Sequence, residues 1–182
     1  MSVQSRAVAG RNHFELLGLP VSFDVDPADL SARYRSLQQQ LHPDRHSGGT
    51  DADRRLALQL TASLNDAYQT LQNPVRRAHY LLDLSGASAD GEADTRLSPD
   101  FLMEQMELRE SLADLHQHAD PRTKLAELAS HTERMMQEKI ADFRHAYARG
   151  SDGSRTARNA MREMQFIDKL RREIGEREED LA

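Results

Sequence analysis

The chain has 182 residues, enough for one or two domains whose cores need no crosslinks. It contains no cysteine, which excludes disulfides, thiolate metal sites, cysteine catalysis and cysteine ligation of an iron-sulfur cluster by this chain. Its 30 acidic and 24 basic residues leave a formal net charge of −6, unlike the basic balance of a nucleic-acid binder, and no run approaches the roughly 20 apolar residues of a membrane helix. The expectation is a soluble, intracellular protein with neither nucleic acid nor membrane as partner.

Residues 1–11 (MSVQSRAVAGR) carry Ser and Arg without an acid, a faint likeness to a mitochondrial presequence, but lack the apolar core of a secretory signal; they read as a flexible N-terminus. Beyond them apolar residues keep the helical period and no segment alternates like a half-buried strand, so the expected fold is all-α. A short helix spans Asn12 to Leu17, closed by Gly18 and Pro20. Asp26 is placed to cap the second helix and Pro27 to open it, with a stripe of Leu30, Tyr34, Leu37 and Leu41. That helix ends near His42, because Pro43 disfavours helical geometry in its predecessor.

Ser47-Gly48-Gly49-Thr50 forms a loop, and the next helix, Asp51 to Leu71, buries Leu56, Leu60, Leu64, Ala67 and Leu71. So short a connection makes the two helices an antiparallel hairpin. Asn73-Pro74 interrupts the pattern before a final segment, Val75 to Leu84. Ser, Ala, Gly and Asp dominate from Ser85 to Arg96, placing a linker at 85–97 between a first domain at 12–84 and a second at 98–182. The second domain reads as a three-helix bundle: Ser98 to about His118, Pro121 to about Arg149, and Ser154 to about Leu181. Its middle helix presents Leu128, Thr132, Met136, Ile140, Phe143 and Tyr147 on one face, and its last presents Met164, Ile167, Leu170 and Ile174.

The bundle's first helix has two apolar faces. Phe101, Leu108, Leu112 and Leu115 form a core stripe, whereas Leu102, Met103 and Met106 lie roughly 100 to 200 degrees around the helix, beside Glu107 and Glu110. Such a second face needs a partner, either another protein or the chain's own first domain. Methionine suits an adaptable contact and flanking acids add register and steering. Phe166 lies off the centre of its own helix's stripe, so it either borders this patch or packs at the bundle edge.

The loop at His42-Pro43-Asp44 admits two readings. His42, Asp44 and His46 offer nitrogen and oxygen ligands of the kind zinc takes, as a metal-dependent hydrolase would need. The spacing is not distinctive, and a helix-helix corner converges poorly on a substrate. There is no glycine-rich phosphate loop, no GxSxG elbow and no nucleophile paired with a base, so the chain is expected not to be an enzyme. The alternative is a protein-contact loop: Pro43 restricts the turn, His42 donates or accepts, and Asp44 presents a carboxylate to a cationic group.

The helix Leu30-Ser31-Ala32-Arg33-Tyr34-Arg35-Ser36-Leu37, then Leu41-His42-Pro43-Asp44-Arg45, then Leu64-Asn65-Asp66-Ala67-Tyr68-Gln69-Thr70-Leu71, resemble a J domain in order and spacing. Tyr80-Leu81-Leu82, Phe101 through Glu110, and Phe166-Ile167-Asp168-Lys169-Leu170 narrow the resemblance to the HscB-type J-domain co-chaperones of iron-sulfur cluster assembly. The resemblance covers nearly all of the chain after residue 11. It implies an N-terminal J domain joined to a C-terminal client-binding bundle, with two partners: a specialised DnaK-type chaperone (HscA-like), whose ATPase it stimulates, and an iron-sulfur scaffold protein (IscU-like), which it delivers. It implies no cofactor and a bacterial cytoplasmic location, with the mitochondrial matrix as the alternative.

By the same resemblance His42, Pro43 and Asp44 contact the chaperone, with Arg35 and Arg45 as steering charges, while Leu102, Met103, Met106, Glu107, Glu110 and Phe166 bind the scaffold. Gln38, Gln39 and Gln40 stand where many J domains are lysine-rich, which favours a dedicated chaperone, and the methionine at 106 replaces a more usual leucine of similar volume.

Overall fold

The structure is a computed structural model describing residues 11–41, 50–87 and 97–181. Among these every regular element is helical, and the chain divides into two compact units, residues 1–81 and 82–182. The expected flexible terminus (apart from residue 11), the loop at 42–49 and residues 88–96 of the expected linker lie outside the described residues.

In the first unit α1 spans His13–Leu16, with Asn12 and Glu15 forming a reciprocal capping box and Gly18 closing the turn at φ +66°. Helix α2 spans Pro27–Leu41, and the Asp26 carboxylate accepts from the Ala28 amide at 2.9 Å, as its position predicted. Helix α3 runs Asp51–Gln72 and α4 Pro74–Leu84, the latter continuing three residues past the unit's end at Leu81 and opened by Asn73, whose side-chain oxygen accepts from Val75 and Arg76. Phe14, Leu17, Leu30, Leu64, Ala67, Leu71, Ala78 and Leu81 are essentially inaccessible. Each large member contributes about 1.5 to 3 kcal/mol.

In the second unit α5 spans Pro99–Ala113, α6 Pro121–Ala148 and α7 Ser154–Asp180. The Ser98 hydroxyl caps α5 and the Asp120 carboxylate caps α6. The ion pairs Lys139–Glu163 (2.8 Å) and Glu133–Arg171 (2.5 Å) run in opposite order along α6 and α7, so these two are antiparallel. Phe101–Phe166 and Arg109–Glu173 run in the same order, so α5 lies parallel to α7. The expected extension of the first bundle helix to His118 is corrected: α5 stops at Ala113 and a 3₁₀ turn covers Leu115–Gln117. Asp114 accepts from both the backbone and the side-chain nitrogen of Gln117, tightening the chain while Leu115 still reaches the core beside Leu112, Leu125, Leu128, Leu170 and Ile174.

Candidate functional site

The first candidate site is built on the α2/α3 hairpin. Tyr34 and Tyr68 stack with ring centroids 4.2 Å apart, the Tyr34 hydroxyl donates to Asn65 at 2.9 Å, and the hydroxyls of Ser31 and Tyr68 lie 3.2 Å apart. Because position falls on α3 as it rises on α2, these bonds set an antiparallel register for the helices that enter residues 42–49. Arg35 is exposed on α2. His42, Pro43, Asp44, Arg45 and His46 lie outside the described residues, and with them both readings of the loop. Elsewhere, among the described residues, no group of three or more His, Asp or Glu side chains is arranged to hold a metal ion.

In the same unit His13 stacks on Tyr80 at 4.2 Å, its amide donates to the Tyr80 hydroxyl at 2.9 Å, and its Nε2 stands 3.5 Å from Asp66. Burial disfavours the imidazolium more than Asp66 favours it, leaving the pKa below its usual value.

The second candidate site is the outer face of α5. Leu102 is 43% exposed, Met103 60% and Met106 63%, with Glu107 and Glu110 exposed beside them. Phe166, on α7, is 40% exposed and meets α5 edge-on through Phe101, with ring centroids 6.5 Å apart. Of the two placements open to Phe166, the structure has it exposed and against the N-terminal turn of α5. Four large apolar side chains, partly wet, thus gather around one helix of a bundle whose other long apolar stripes are buried.

Several neighbours of this face carried weaker sequence signals. Gln105 is 5% exposed and neither side-chain amide atom finds a protein partner, because it occupies the i, i+4 slot between Phe101 and Leu108 on the core stripe. Glu104 reaches back to His131 Nε2 at 3.0 Å. Lys139 lies 6.0 Å from the centroid of the Phe101 ring. Burial works against its charge, but hydrogen bonds and attraction from Glu163 and Asp142 prevail and raise its pKa. Only the spacing of Gln105 from Phe101 was visible beforehand; the cross-helix pairs needed the packing.

The DnaJ domain family matches residues 12–80, and the family described as HSCB C-terminal oligomerisation domain matches residues 97–175. The co-chaperone protein HscB homolog of Aliivibrio salmonicida is 41% identical over 170 residues, 93% of this chain and 98% of its own. The solved structure of chaperone HscB from Vibrio cholerae matches with a TM-score of 0.83 and 38% identity, covering 94% of this chain and 100% of that one. The crystal structure of the human co-chaperone protein HscB matches with a TM-score of 0.82 and 28% identity, covering 93% of this chain and 83% of that one. With a J-domain hairpin, a three-helix C-terminal unit and relatives of this likeness along almost its whole length, the chain belongs to the HscB family of J-domain co-chaperones.

Proposed function

We propose that this protein stimulates the ATPase of a specialised DnaK-type (HscA-like) chaperone through its J domain and delivers an iron-sulfur scaffold protein (IscU-like) to it, working in the bacterial cytoplasm. The observation that carries the delivery half is the exposed face of Leu102, Met103, Met106 and Phe166. A bundle without a partner gains nothing by leaving such a patch wet, whereas unbranched methionine side chains repack against a partner at little cost. Glu107 and Glu110 beside it steer a cationic partner and fix its register. In the J domain, Asp44 is assigned the trigger. Its carboxylate interacts differently with the two states of the chaperone, which is what shifts a population, while His42 and Pro43 position it and Arg35 and Arg45 speed the encounter.

The absence of cysteine suits an adaptor that carries a loaded scaffold without itself ligating the cluster. Truncating Met103 and Met106 together to Ala is expected to weaken scaffold binding by at least about 1 kcal/mol in titration calorimetry. Both side chains are mostly exposed, so the thermal midpoint should stay put. Unchanged affinity would remove the face from the reading and return it to a packing role.

A further inference from the structure

Where α5 faces α6, the exposed patch runs into a groove of about 550 Å³ shared by the two helices. Its floor is apolar: Phe101 and Met135 line it at 5% and 6% exposure, and Met103 forms a wall. Its rim is acidic, with Asp100, Glu104 and Glu107 from α5 and Glu138 from α6. Glu104 is met by His131, but Asp100, Glu107 and Glu138 have no basic partner among the described residues. Lys139 is the groove's one base, and its ammonium is already engaged by Glu163 at 2.8 Å and Asp142 at 3.5 Å.

An apolar floor beneath uncompensated carboxylates selects among guests. An acidic side chain would be repelled, and a purely apolar one would strip water from the rim without pairing it. A long side chain with an apolar stem and a cationic head satisfies both layers. Met103 and Glu107 belong to the groove and to the exposed patch alike, so a partner covering the patch also covers the groove's mouth. We propose, resting on the docking reading above, that a lysine or arginine of the scaffold partner seats here, its stem on Phe101, Met103 and Met135 and its head among Asp100, Glu107 and Glu138. The docking surface then crosses from α5 onto α6, and α6 acts as a determinant of which partner fits.

The test is calorimetric titration of the full chain with purified iron-sulfur scaffold protein at low and at physiological salt. Glu138→Lys should weaken binding about tenfold and Glu138→Gln about threefold, with a shallower salt dependence in both. A Lys→Glu or Arg→Glu substitution on the scaffold should exist whose lost binding Glu138→Lys restores. Wild-type affinity and salt dependence in Glu138→Lys, alongside lost binding in the Met103/Met106 double variant, would overturn the groove and leave the docking reading standing. Equal weakening by Glu127→Lys, in the first two turns of α6, would reduce the effect to overall charge and overturn it too. No binding by the unaltered chain would sink both.

Discussion

His13 shows how one side chain ties the stability of the J domain to pH. Its ring is stacked on Tyr80 and partly withdrawn from water, and Asp66 at 3.5 Å recovers only part of the cost of charging it. The folded pKa therefore lies below that of the unfolded chain, which binds a proton more readily than the native state does. The stability this group contributes is present above about pH 6.5 and is lost as pH falls through that value toward the lower folded pKa. Between about pH 7.5 and 5.5 the thermal midpoint of the J-domain transition should fall more in the wild type than in His13→Phe, which keeps a ring against Tyr80 but carries no proton. An equal fall in both would mean that His13 titrates as freely in the folded state as in the unfolded one.

Among the elements, Gly153 in the turn joining α6 to α7 and Gly175 in the body of α7 answer opposite demands. A Cβ built on Gly153 would stand 1.8 Å from the Ala146 carbonyl oxygen, a backbone atom that cannot swing aside, while one on Gly175 meets nothing within 4 Å. Gly153→Ala must spread the two helices and should destabilise the protein by about 1 to 3 kcal/mol. Gly175→Ala removes a poor helix former at no steric cost and should stabilise it by about 0.5 to 1 kcal/mol. Denaturant titration of both variants checks the sign; a neutral Gly153→Ala would show that the turn is looser than the contact with Ala146 requires.

This turn also marks where sequence patterns stop informing. The cap at Asp26 and the helix starts at Ser98 and Pro121 were readable, because capping is local chemistry within three residues. The stripe of Met164, Ile167, Leu170 and Ile174 was equally readable, since burial recurs at the helical period. The end of α5 was not. Leu115 extends the stripe whether the backbone stays α-helical or tightens to 3₁₀, and the bonds between Asp114 and Gln117 decide. On α5 the wet face declared itself because apolar residues surplus to a core stripe are visible on a wheel. Gln105, polar by type and buried by position, and Met135, silent until α6 lies beside α5, depended on tertiary packing.

At the scale of the whole molecule, the proposed work requires a trigger and a docking face on one chain. Joining them turns the second contact, chaperone to scaffold, into an intramolecular event at an effective concentration of about millimolar for a short connection, far above that of free partners. The two surfaces should therefore fail separately and fail to complement each other. Asp44→Asn should bind scaffold normally yet lose stimulation of the chaperone's steady-state ATPase. The Met103→Ala/Met106→Ala variant should keep its own stimulation and lose the additional rise that scaffold provides. An equimolar mixture of the two, assayed where wild-type protein saturates the response, should lack that additional rise, because every molecule lacks one end. If the mixture recovers it, the ends cooperate between copies rather than along one chain, and the single-chain adaptor is wrong even though each surface binds as assigned.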